Sequence, residues 1–158
     1  MEMKNVFTEK IPAFRLIGKK YYMNDDWSQK WEEFFQNGWF DILEKSGGNS
    51  EFDYLGMKRI KNGELEYWIG MIFPENAEIP RAFEFVDVEE LDYVVFWLYG
   101  KSGELTGMSC HEKCLEELKE IERKRKEDNW CIERYNCPRF TTPDEKGNVI
   151  LDYYISVE

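Results

Sequence analysis

The sequence predicts an α+β fold built from two β-α-β-β units that share one antiparallel sheet. Three observations predict it. Leu65-Glu66-Tyr67-Trp68-Ile69-Gly70-Met71 matches Leu151-Asp152-Tyr153-Tyr154-Ile155-Ser156-Val157 position by position. Each copy closes a segment that reads strand, helix, hairpin. Each is preceded by turn chemistry, Lys61-Asn62-Gly63 in the first half and Lys146-Gly147-Asn148 in the second. The 158 residues therefore form a single domain, with pseudo-repeats over 6–74 and 80–157.

Taken in order, the first unit opens on 6–22, where Phe14-Arg15-Leu16-Ile17-Gly18-Lys19-Lys20-Tyr21 reads as a strand started by Pro12. Asn24-Asp25-Asp26 then offers N-cap acceptors. The next helix places Trp27, Trp31, Phe34, Phe35, Trp39, Ile42 and Leu43 at spacings of three and four, one broad apolar face. Gly38 weakens it and Gly47-Gly48 ends it. Strands over 52–60 and 64–73 form a hairpin through Asn62-Gly63. In the second unit, 83–88 and 91–99 are strand-like. Residues 108–128 read as a helix with a narrower stripe, Cys114, Leu115, Leu118 and Ile121, and with Ser109 and Glu112 spaced as a capping box. Two β-like runs, 130–136 and 148–157, complete the chain.

Composition excludes several functions. The net charge of −11 repels phosphate backbones, so no nucleic-acid partner is expected. No apolar run approaches the ~18 residues of a membrane span. The N-terminal Met-Glu-Met-Lys-Asn-Val-Phe lacks the apolar core of a signal peptide. A cytoplasmic location is expected, with Cys110, Cys114, Cys131 and Cys137 reduced. Cys110 and Cys114 share a helix face beside His111, but without a C-x-x-C knuckle. The expectation is no metal and no cofactor. A single histidine supports no catalytic triad, and Gly100-Lys101-Ser102-Gly103 lacks P-loop spacing.

The aromatic content stands out, at 16% of the chain, together with one carboxylate inside an aromatic strand. Over 130–136, Cys131, Glu133 and Tyr135 alternate onto one face. A buried carboxylate ringed by Trp and Tyr faces is a receptor for an organic cation. The same walls would stack a flat neutral ligand. In the repeated strand the all-apolar set Leu65, Tyr67, Ile69 and Met71 is expected on the helix. Trp68, and Tyr154 by analogy, would then face a groove on the free side. Tyr93, Trp97 and Trp39 are further candidate wall residues, beside Tyr135.

The segments Y-W-I-G-M-I-F-P-E-N-A-E-I-P, F-E-F-V-D-V, L-D-Y-V-V-F, I-E-R-Y and P-D-E-K-G-N-V-I-L-D-Y-Y-I-S-V, spread over 6–157, resemble the gyrase-inhibitor-like effector-binding domain of bacterial transcription activators. The resemblance implies duplicated β-α-β-β (SHS2-like) units in a curved sheet, two helices on one face and a ligand cleft on the other. It also implies an acidic residue in that cleft, which falls on Glu133. Such regulators carry a helix-turn-helix beside this domain, for which this chain has no room, so a transcription-factor role is not expected. Three function classes remain. The first is a stand-alone protein that captures cationic amphipathic or planar aromatic compounds. The second is a hydrolase of cyclopropane-bearing aromatic natural products, with Glu133 as the catalytic group. The third is a protein-interaction role like that of the gyrase-inhibiting namesake.

Overall fold

The computed structural model describes residues 1–158. Its core is one eight-stranded sheet, entirely antiparallel, in the order β1-β6-β8-β7-β3-β4-β2-β5. The first half supplies β1 (Glu2–Ile11), β2 (Phe14–Tyr22), β3 (Tyr54–Lys61) and β4 (Glu64–Phe73). The second supplies β5 (Glu84–Val88), β6 (Leu91–Gly100), β7 (Cys131–Tyr135) and β8 (Val149–Val157). Each half lends its first strand to the other. β1 pairs with β6, and β5 pairs with β2. These exchanged edges extend the expected units by one strand each. The sequence marked 83–88 as a strand and did not separate 2–11 from β2.

The long hairpin turns behave as their residues dictate. Asn62 and Gly63 both take positive φ, 54° and 77°, which matches the twist of β3 and β4. The helix expected to run through Trp27–Lys45 is two helices, α1 (Trp27–Gln36) and α2 (Trp39–Lys45). Gly38, at φ 66°, is the break, because a left-handed residue cannot continue a right-handed turn. Asp26 caps α1 by accepting from the Gln29 amide. The break turns part of the aromatic face outward: Phe34 and Leu43 are fully buried, whereas Phe35 and Ile42 are exposed. After the short α3 (Ser102–Leu105), α4 runs only from Met108 to Glu120. Its N-cap is Gly107, and no Ser109–Glu112 box forms.

Both helical lobes lie on the same sheet face. α1 and α2 cover Ile17, Tyr21, Tyr67, Ile69, Met71 and Phe73. α4 covers Val94, Phe96, Tyr153, Ile155 and Cys131 through Cys110, Cys114 and Leu118. The opposite face curls over a third cluster that includes Leu16, Met57, Trp68, Tyr93, Val95, Trp130, Ile132 and Tyr154. The β1–β2 and β5–β6 turns join the two ends of the sheet, so residues from distant strands, such as Ile11 and Val88, meet there. No helix is long and apolar enough to cross a membrane. All four cysteines are free thiols, three buried and Cys137 exposed.

Candidate functional site

Glu133 sits near the middle of the sheet, where β7 pairs with β3 on one side and β8 on the other. Only 4% of it is exposed. Strand alternation puts it on the face of Cys131 and Tyr135, as the sequence required. That is the helix-covered face. Glu133 therefore lies at the seam between the two helical lobes, and not on the free side where the groove was expected.

Its surroundings are phenols and indoles. The Tyr67 hydroxyl donates to Glu133 Oε1 at 2.7 Å. Trp31 Nε1 donates in turn to the Tyr67 oxygen at 2.9 Å. Trp27 stacks on Tyr67, centroids 4.2 Å apart and planes 10° from parallel. Trp31 meets Tyr135 edge-on at 4.8 Å. Tyr153 is the direct cross-strand partner of Glu133 on β8. No ion pair reaches Glu133: the buried carboxylate Asp152 has Arg139, and Glu66 has Arg59 and Lys20, but Glu133 has only its neutral donor.

The space for that carboxylate comes from Gly56, its partner on β3. A Cβ there would come within 2.6 Å of Glu133 Oε1 and closer still to the Tyr67 hydroxyl. The phenols are held protonated. Burial first, then the Glu133 charge, pushes Tyr67 well above the ordinary phenol range. The same two causes raise Tyr135. Both therefore remain hydrogen-bond donors throughout the neutral range.

The remaining sequence candidates go elsewhere. Trp68, Tyr154, Tyr93 and Trp97 were expected to wall a cleft with Glu133. They lie on the opposite face, because each is an odd step away in register: Tyr154 pairs with Ile132, and Trp68 with Met57. There Trp68, Tyr93 and Tyr154 belong to the curled core, with Trp97 packed against it. The Trp68 and Trp97 indole nitrogens and the Tyr93 hydroxyl have no protein partner there. Trp39 is on the correct face but at the far end of α2's approach. It packs edge-on against Phe34 and Phe83, with Lys19 Nζ 4.7 Å above its ring. Of the expected set, only Glu133 and Tyr135 come together.

The residues found around Glu133, namely Tyr67, Trp27, Trp31 and Tyr153, are not among the candidates the sequence offers. It had assigned Tyr67 to the helix-facing set and Trp27 and Trp31 to helix core, which is where they are. The groove was expected on the free side, whereas Glu133 is on the helix-covered one. The legible signal was a phenol in each copy of the repeat, Tyr67 and Tyr153, among otherwise aliphatic helix-facing positions.

A cavity of about 450 Å³ lies at the β1–β2 turn between Ile11, Phe14, Phe52 and Phe73. No titratable side chain lines it, so chemistry favours the Glu133 seam as the candidate site. The thiols and His111 form no metal centre; no cluster of His, Cys, Asp and Glu here could hold an ion. His111 Nδ1 instead lies 2.7 Å from the Tyr153 hydroxyl.

The family model described as Cass2, integron-associated effector binding protein, matches residues 6–157. No curated protein matches the chain. Among solved structures, SAV2435 bound to tetraphenylphosphonium is similar at 16% identity and TM-score 0.77, covering 100% of this chain and 94% of that one. A bacterial transcription regulation protein of Staphylococcus aureus MU50 aligns at 15% identity and TM-score 0.72, with 98% of each chain covered. The integron cassette protein from the Vibrio cholerae mobile metagenome aligns at 13% identity and TM-score 0.57, covering 99% and 97%. At these identities the likeness is one of fold, the gyrase-inhibitor-like effector-binding fold.

Proposed function

This chain belongs to the Cass2 family of integron-associated effector-binding proteins, and we propose that it captures organic cations, amphipathic or planar aromatic, at Glu133. The carrying observation is a carboxylate only 4% exposed, with one neutral hydrogen-bond donor and no cation. A buried charge without a counter-ion is costly, and a bound cation removes that cost. Tyr67, Tyr135, Trp31 and Trp27 then supply ring faces, each worth roughly 0.5–2 kcal/mol to a cation in a desolvated setting. The tetraphenylphosphonium carried by SAV2435 is a probe of this chemistry.

α1 and its two tryptophans roof the carboxylate, so ligand capture requires side chains at the seam to move apart. The protonated Tyr67 phenol keeps Glu133 oriented while the site is empty. A fluorescence titration with a panel of cationic and neutral aromatic dyes tests the reading. Saturable quenching of tryptophan emission by the cations is expected, weakened by Trp31→Phe and Tyr67→Phe. A panel in which the neutral dyes bind as well as the cations would contradict it. Mass spectrometry of the same mixtures should return the ligands unchanged; a water adduct of a strained-ring ligand would assign Glu133 to hydrolysis instead.

A further inference from the structure

On the covered face, two residues along from the carboxylate, the structure has another cavity of about 310 Å³. Tyr54 and Tyr135, a cross-strand pair, form its floor. Glu44, Asp53, Cys137 and Thr141 also line it. Asp53 is already neutralised by Arg134 at 3.2 Å. Glu44 accepts from the Tyr54 hydroxyl at 2.7 Å and has no cation. The free charge of this cavity is therefore negative, and it is carried by the exposed Glu44.

Of the cavity's lining, Tyr135 shares β7 and its face with Glu133. Tyr135 lines the cavity, yet its ring also meets Trp31 of the seam edge-on at 4.8 Å, and the Glu133 charge acts on its phenol. The roof over Glu133 is more firmly tied. Trp31 is bonded to Tyr67, and Trp27 Nε1 donates to the Tyr22 carbonyl at 3.1 Å. Moving that roof displaces part of a helix; moving Tyr135 displaces a side chain at the end of a five-residue strand.

We propose that this cavity is the outer station of the Glu133 site. A cation first rests against Glu44 and the Tyr54 ring, and passes inward when Tyr135 swings aside. The inference rests on the cation-capture reading and adds the route and its gate.

Cys137, the one exposed thiol, allows a direct test. The whole protein is labelled there with a bulky maleimide, and tetraphenylphosphonium association is followed by stopped-flow tryptophan quenching. Association and dissociation should both slow about tenfold or more, with Kd nearly unchanged, since a blocked path alters rates and not end states. Thr141→Trp, which fills the cavity without a label, should slow both rates in the same way. Glu44→Gln should slow association about two- to fivefold at low salt and not at high salt. Labelled protein that associates at the unlabelled rate would overturn the path, as would equal slowing of Cys137→Ser treated with the same reagent. Unlabelled protein that fails to bind the cation would remove the capture reading itself, and the path with it.

Discussion

The two halves of the sheet meet at the Met57–Ile132 pair of β3 and β7, and the positions around that pair can be compared directly. Lys58 stands across from Tyr67 on β4 as Glu133 stands across from Tyr153 on β8. Each charged side chain then leans over the centre toward the other half's tyrosine. Glu133 accepts from the Tyr67 hydroxyl, and Lys58 Nζ lies 5.4 Å from the Tyr153 ring centroid. One backbone frame thus carries a carboxylate on one side and an ammonium on the other.

The covering elements differ more. Over Tyr67, α1 brings Trp27 and Trp31, and an indole N–H satisfies the phenol. Over Tyr153, α4 brings His111, and small thiols and Leu118 fill the space beneath. The first lobe offers broad ring faces beside an unpaired carboxylate. The second offers small apolar groups beside a lysine, which is also within reach of solvent. The comparison teaches that recognition chemistry here depends on the covering helix as much as on the strand residue. Glu133 under α4 would have the Tyr153 and His111 rings nearby, but no indole from its covering helix to present to a cation.

The contrast can be broken on its aromatic side first. Phe34 is fully buried beneath α1, tilted against Phe40 at 4.3 Å. Phe34→Ala should cost about 3–5 kcal/mol, seen as a lower urea midpoint, because a large ring leaves a cavity that the lobe cannot fill. Cys114→Ala, the fully buried site under α4, should cost far less, since it removes a single sulfur.

Gly56 and Cys131 give the next test, as they flank the central pair on equivalent sides. Gly56→Ala should destabilise by about 2–3 kcal/mol, since its Cβ would collide with Glu133 and Tyr67. It should also weaken cation binding by displacing the carboxylate. Equal stability of Gly56→Ala and the native protein in urea would mean that the seam has slack.

The smallest effect is in pH, and it sharpens the other lobe. Burial, and after it the charges of Lys58 and Arg125, lowers His111 to about 4. The ring is neutral when folded, whereas an unfolded histidine takes its proton near pH 6.5. Its contribution is thus fully present above about pH 6.5 and is lost as pH falls from there through about 4. Because the ring is only half-buried, solvent screening reduces the loss to about 1–2 kcal/mol. Urea midpoints at pH 7 and pH 5 should show this drop in the native protein. His111→Gln should lessen it.

Much of this was legible in residues. The matched segments at Leu65 and Leu151 located β4 and β8, and alternation put Glu133 with Tyr135. The Asn62-Gly63 turn fixed the β3–β4 register. Three things were not legible. A weak Gly38 in a strong apolar pattern did not reveal a complete break, because whether a glycine kinks or ends a helix depends on the packing of the next turn. The exchange of β1 and β5 left no local signal, since an edge strand reads the same whichever sheet end it joins. Trp68 and Tyr154 take the free face as expected, but their separation from Glu133 was not legible, because periodicity tells which residues of one strand share a face, and not how the faces of different strands match.

The central claim is that Glu133 selects a cation, and calorimetry tests it most directly. Native protein and Glu133→Gln are titrated with tetraphenylphosphonium and with a neutral aromatic ligand of similar size. The substitution keeps the shape and removes the charge. It should weaken the cation by about 1.5–3 kcal/mol, roughly 10- to 150-fold in Kd, and leave the neutral ligand within about twofold. Equal affinity of both proteins for both ligands would contradict the account and leave Glu133 a structural carboxylate at the seam.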